Sequence, residues 1–102
     1  MFSKRKITER SEEATPIARS QNLVVQEMPD EVLVYDLDNN KAHCLNSSAA
    51  AIWNSCDGKT KIKDMPKKIQ ENNAKLHYAK LVDLDFINLG LDQLQESNLL
   101  EA

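Results

Sequence analysis

The chain is 102 residues long, with a formal net charge of -3, two cysteines and two glycines. That length holds one domain with a single small core, and no apolar run approaches the roughly 18 residues that span a bilayer. Lys4, Arg5 and Lys6 have no apolar stretch behind them and so do not begin a signal peptide. A soluble cytoplasmic protein is the expectation, and glycine is too scarce for a phosphate-cradling loop.

Residues 1–20 are polar, mixed in charge and without periodicity, which predicts a flexible N-terminal arm ahead of a domain over 21–102. Leu23, Val24 and Val25 open a first strand, and Met28-Pro29-Asp30-Glu31 is the turn after it. Val32 to Leu37 alternates as the clearest strand, with Leu33, Tyr35 and Leu37 on one face and Val32 and Val34 on the other. Asp38-Asn39-Asn40 closes a hairpin, because asparagine tolerates positive φ. Lys41 to Leu45 returns as a third strand. A three-stranded meander has two edges with unpaired backbone groups, and such an edge is either blunted or used.

From Leu45 to Gly58 the pattern is a strand end, a polar cap, a short buried helix and a glycine stop. Asn46 and Ser47 can cap the first turn, and Gly58 suits the left-handed conformation that ends a helix. Ala49, Ile52, Trp53 and Cys56 share one helical stripe. Cys44 and Cys56 read as reduced core thiols, and neither they nor His43 and His77 have the spacing of metal ligands.

A second helix starts near Asp64 with Pro66 in its first turn. Ile62, Met65 and Ile69 point inward, and Asn72-Asn73 stops it. Leu76 and Tyr78 pin the following polar loop. The last helix runs from about Val82 to Ser97, with Leu84, Ile87, Leu91 and Leu94 as its core stripe and an Asn98 cap before Leu99 and Leu100. At about 100° per residue, Val82, Phe86 and Leu89 fall on nearly the opposite face. The order β-β-β-α-α-α predicts an α+β, winged-helix-like domain: a three-stranded antiparallel meander followed by three helices.

Residues 59–80 carry seven lysines against Asp64 and Glu71, whereas residues 81–102 carry five acids and no lysine or arginine. No motif assembles a nucleophile with a base, a carboxylate pair or a metal triad. The expectation is therefore a binding module without catalysis or cofactor. An edge strand ending at Leu45, beside a helix with a spare apolar face, suits β-augmentation by an extended peptide.

The run L-N-x-x-A-A-x-I-W-x-x-C-D-G from Leu45 to Gly58, followed by Lys59-Thr60-Lys61-Ile62, closely resembles PqqD-like proteins. These are small winged-helix peptide chaperones, also called RiPP recognition elements, and the likeness extends in weaker form from about residue 21 to the C-terminus. The resemblance implies a domain that binds the leader of a ribosomally made precursor peptide between its third strand and third helix. It then presents the peptide to a modifying enzyme, often a radical SAM enzyme. The matching positions are Ala42, His43, Cys44 and Leu45 on the strand, and Val82, Phe86, Leu89 and Gln93 on the helix. This chain departs from PqqD proper in having Asn98-Leu99-Leu100 where a Gly-Trp pair is usual. Pyrroloquinoline quinone synthesis is thus one pathway, and another peptide-modification cluster is the other.

Two rival readings come from the same residues. The lysine-rich second helix and basic arm could contact DNA phosphates as a winged-helix regulator. The net acidity, the acidic last helix and the lack of arginine beyond residue 19 oppose it. The third reading is a structural subunit that homodimerises through the second face of the last helix.

Overall fold

The computed structural model describes residues 10–72 and 82–101. The first nine residues, and the loop expected to be pinned by Leu76 and Tyr78, lie outside the described residues. Strands β1 (Leu23–Glu27), β2 (Glu31–Asp36) and β3 (Lys41–Asn46) form an antiparallel meander in the order β1-β2-β3. Helix α1 (Ser47–Asn54), a single 3-10 turn (Ile62–Asp64), α2 (Met65–Asn72) and α3 (Leu84–Glu96) follow. This is the winged-helix-like α+β order expected from the sequence. Among the described residues no helix is long and apolar enough to cross a membrane.

The sheet faces divide as the alternation predicts. Val32, Val34 and Asp36 of β2 are buried, while Leu33 and Tyr35 face outward. The hairpin to β3 is built on Asp36. Its Oδ1 accepts the backbone N–H of Asp38 (3.1 Å) and of Asn39 (3.2 Å), and its Oδ2 accepts Asn39 Nδ2 (2.7 Å). Asn40 supplies the left-handed residue, with φ 53°. The Arg19 guanidinium neutralises Asp36, with Nη1–Oδ2 at 2.8 Å and Nη2–Oδ1 at 2.9 Å, and Nη2 also reaches Asp38 at 2.8 Å. These bonds make a buried carboxylate tolerable.

Residues 10–20 correct the expectation of a flexible arm. They lie along the domain as a strap whose carbonyls accept from Gly58 (to Pro16, 3.0 Å), Ile62 (to Ala14, 2.9 Å) and Glu101 (to Ile17, 2.8 Å). Ala18 and Arg19 donate back to Cys56 and Leu99 at 2.7 and 2.9 Å. Backbone groups of the α1–α2 connection and the C-terminal tail find partners here that no local periodicity signals. Glu13 bridges Lys61 and Lys63, both at 2.8 Å. The hydrogen bond from Lys61, then that from Lys63, lowers its carboxyl from 4.5 to about 2.

Asn46 caps α1, its Oδ1 accepting from Ala49 N at 2.8 Å. The helix ends at Asn54 rather than at Gly58. Ser55 closes it, with its N–H on the Ala51 and Ile52 carbonyls and its hydroxyl on Ala51 O at 3.0 Å. Gly58 turns the chain three residues later at φ 76°. Ile52, Trp53 and Cys56 are buried as expected, and Ala50 and Ala51 join them. Cys44 does not: it is exposed on the outer sheet face, because its register partner is Leu33.

The inward residues of the 3-10 turn and α2, Ile62, Met65 and Ile69, are fully buried. Asp83 caps α3 through Oδ1, which accepts from Phe86 N at 2.9 Å. At the other end Asn98 takes φ 60°, with Leu99 N on Leu94 O (2.9 Å) and Asn98 N on Gln95 O (3.0 Å). This is a Schellman ending that turns Leu99 back onto the core.

Trp53 Nε1 donates to Leu99 O at 2.9 Å, tying α1 to the tail. Trp53→Ala should cost about 3–5 kcal/mol in urea unfolding. Trp53→Phe should cost less, because it removes chiefly the hydrogen bond, about 1 kcal/mol; equal losses would refute burial as the main contribution. Acid should weaken the domain. Arg19 first and Asn39 second hold Asp36 well below the usual carboxylate range. A depressed carboxylate stabilises above about pH 4 and ceases to as pH falls through its folded value. Arg19→Met should lower the melting temperature at pH 7 and flatten its decline between pH 5 and 2, measured by circular dichroism.

Candidate functional site

The end of β3, the start of α1 and the middle of α3 meet in an open cleft of about 230 Å³. Phe86, Leu89 and Gln93 form its α3 wall, three residues that the helical spacing places on one side. Gly90 of α3 and Ile52 of α1 also line it, and Asn46, Ser48 and Ala49 line it at the α1 N-terminus. The lining carries no formal charge. Phe86 is half-buried against the core, and Leu89 is 41% exposed.

The cleft exists because α1 and α3 approach closely at one point. A Cβ on Gly90 would run into Ile52 Cδ1, the end of that side chain. The glycine lets Ile52 seat against the α3 backbone, leaving Phe86 and Leu89 to project past it. A glycine inside a helix costs about 1 kcal/mol relative to alanine, so its position was itself a sequence signal of close approach.

Beside the cleft runs β3, which among the described residues has β2 on one side only. Leu45 and His43 pair with Val32 and Val34 and share their core-facing side. Ala42 and Cys44 are exposed on the outer face. Of the expected site residues, Ala42, His43, Cys44 and Leu45 lie on this edge strand, and Phe86, Leu89 and Gln93 line the cleft. Val82 does not join them. It precedes α3 and is buried at 6% exposure, so it belongs to the core rather than to a second helix face. Asn46, Ser48, Ala49, Ile52 and Gly90 were not expected at the site; their roles as caps and core residues concealed their contribution.

Neither cysteine is set up as a nucleophile. The Cys44 thiol donates to Glu31 Oε2 at 3.0 Å, and that carboxylate raises its pKa. Burial pushes Cys56 up to about 12. A thiol is reactive as thiolate, which both environments disfavour. Among the described residues no cluster of three histidine, cysteine or acidic side chains could hold a metal ion.

Three lysines of the lysine-rich stretch are engaged internally. Lys61 and Lys63 hold Glu13, and Lys68 Nζ holds Asp57 Oδ2 and Thr60 Oγ1, each at 2.9 Å. Lysines already neutralised by carboxylates release few counterions to a phosphate backbone. This weighs against the DNA-binding reading.

The family model for coenzyme PQQ synthesis protein D (PqqD) matches residues 31–73, spanning β2, β3, α1 and α2. No curated protein matches the chain. Among solved structures, TbiB1 in complex with the TbiA(beta) leader peptide superposes with a TM-score of 0.59 at 20% identity. The match covers 84% of this chain and 96% of that one, and it is a likeness of fold.

The Ile52–Gly90 contact is testable by a double-mutant cycle. Gly90→Ala should forfeit much of the roughly 1 kcal/mol that alanine gains in a helix, and Ile52→Val should cost about 1 kcal/mol. Combined they should lose less than the sum, since the valine lacks the Cδ1 that the new methyl strikes. Strict additivity in chemical denaturation would mean that the two helices are not in contact there.

Proposed function

We propose, from the premise that this chain is PqqD-like, that it is a non-catalytic recognition element for the leader of a ribosomally made precursor peptide. The observation that carries the reading is the edge of β3, unpaired among the described residues, lying beside an uncharged, largely apolar cleft walled by Phe86 and Leu89. An extended peptide adds to that edge through backbone hydrogen bonds, and alternate side chains turn toward α3. The fold likeness to TbiB1, whose structure holds a leader peptide, and the PqqD family match support the same reading.

Binding of this kind needs no general base or metal. It stores selectivity in the side-chain pockets and affinity in the shared backbone ladder. The chain then delivers the peptide, in the cytoplasm, to a modifying enzyme such as a radical SAM enzyme. Pyrroloquinoline quinone synthesis or a related peptide-derived product is the pathway class.

A backbone amide NMR titration with the leader of a precursor encoded beside this gene tests the reading. Shifts should concentrate at Ala42 to Leu45 and at Phe86, Leu89 and Gln93. Leu89→Asp should weaken binding by roughly tenfold or more, about 1.4 kcal/mol, with an unchanged melting temperature. Shifts confined instead to Lys59–Lys68, on adding duplex DNA, would overturn it.

A further inference from the structure

We propose that the edge of β3 selects a peptide of definite pattern: a large apolar residue followed four positions later by an acidic one, running antiparallel to β3. This rests on the reading of β3 as the leader-binding edge, and it names the chemistry of the segment bound there.

The two ends of the edge differ. At its Asn46 end lies the cleft, where Ile52, Phe86, Leu89 and Gly90 can cover an apolar side chain. At its other end stands Lys41, exposed, whose register partner is Asp36. Asp36 is already saturated by Arg19, Asn39 and two backbone N–H groups. Lys41 therefore has no carboxylate partner among the described residues, unlike Lys61, Lys63 and Lys68. A strand laid beside β3 brings its own side chain to that ammonium, and a carboxylate is the complement.

Spacing and direction follow from the register. Lys41, His43 and Leu45 alternate onto one face, the face shared with Val34 and Val32. The residues of an added strand opposite Leu45 and Lys41 are therefore four apart, about 13 Å along the strand. The sheet is antiparallel throughout, and antiparallel pairing is the more stable ladder per residue. Added in that sense, the peptide passes Leu45 first and Lys41 last, so the apolar residue comes before the acidic one.

Synthetic peptides test this directly. Fluorescence anisotropy should rank Thr-Leu-Thr-Ser-Thr-Glu-Thr above the same composition with leucine and glutamate exchanged, by about tenfold. Lys41→Glu should weaken the glutamate peptide by a similar factor and restore binding when that glutamate is replaced by lysine. Circular dichroism confirms that the variant is folded, as expected for an exposed side chain. Equal affinity for both orders, or no rescue by the charge swap, would overturn the pattern. If the leader still shifts the β3 amides in that case, the recognition function stands and only this selectivity fails. If neither leader nor peptides perturb β3, the function itself falls.

Discussion

The seating of Ile52 against the backbone of α3 at Gly90 is the contact on which the arrangement of this domain depends. Without a Cβ at position 90, the end of the Ile52 side chain rests directly on the α3 backbone. With that contact made, Ile87, Leu91 and Leu94 reach the core, and Phe86 and Leu89 are left beyond its margin. The cleft is a consequence of this packing rather than a separate construction. In close-packed interiors one methyl group decides such distances.

The chain's backbone polar groups are treated in opposite ways at the strap and at the sheet edge. The strap of residues 10–20 satisfies carbonyl and amide groups at the far side of α1 and along the tail, and Arg19 anchors the β2–β3 hairpin. Among the described residues the edge of β3 has β2 alone beside it. A three-stranded sheet with one side of its terminal strand open would be an aggregation hazard if long and apolar. Here it is six residues, begins with lysine and is overlooked by a helix. Those features restrict what can add to it, and restriction of that kind is what recognition requires.

Charge segregation along the chain has a similar division. The cations of the α1–α2 region hold Glu13 and Asp57 and so fasten the strap and the turn before α2. Hydrogen bonding by Lys68, and then by the Lys59 and Thr60 backbone, holds Asp57 well below the usual carboxylate range. Lys41, by contrast, is exposed on the edge strand β3 with its register partner already committed. A lysine count treats these residues alike, whereas their surroundings separate those that fasten the fold from one without a carboxylate partner among the described residues.

Much of this architecture was legible in local pattern. Strand alternation in Val32–Leu37, the Asn46 cap, the Ile62, Met65 and Ile69 stripe and the Asn98 ending are all short-range effects, and the backbone realises each. The Leu45–Gly58 run also pointed to the edge strand and helix that frame the cleft. Other features depended on groups far apart in sequence. The strap binds carbonyls and amides dozens of residues away; Cys44 is exposed because of its register with Leu33; Val82 is buried because α3 begins after it. Periodicity assigns residues to faces of an isolated element. Which face is covered, and whether a gap remains between two of them, is decided only when the elements pack at the distance their smallest residues allow.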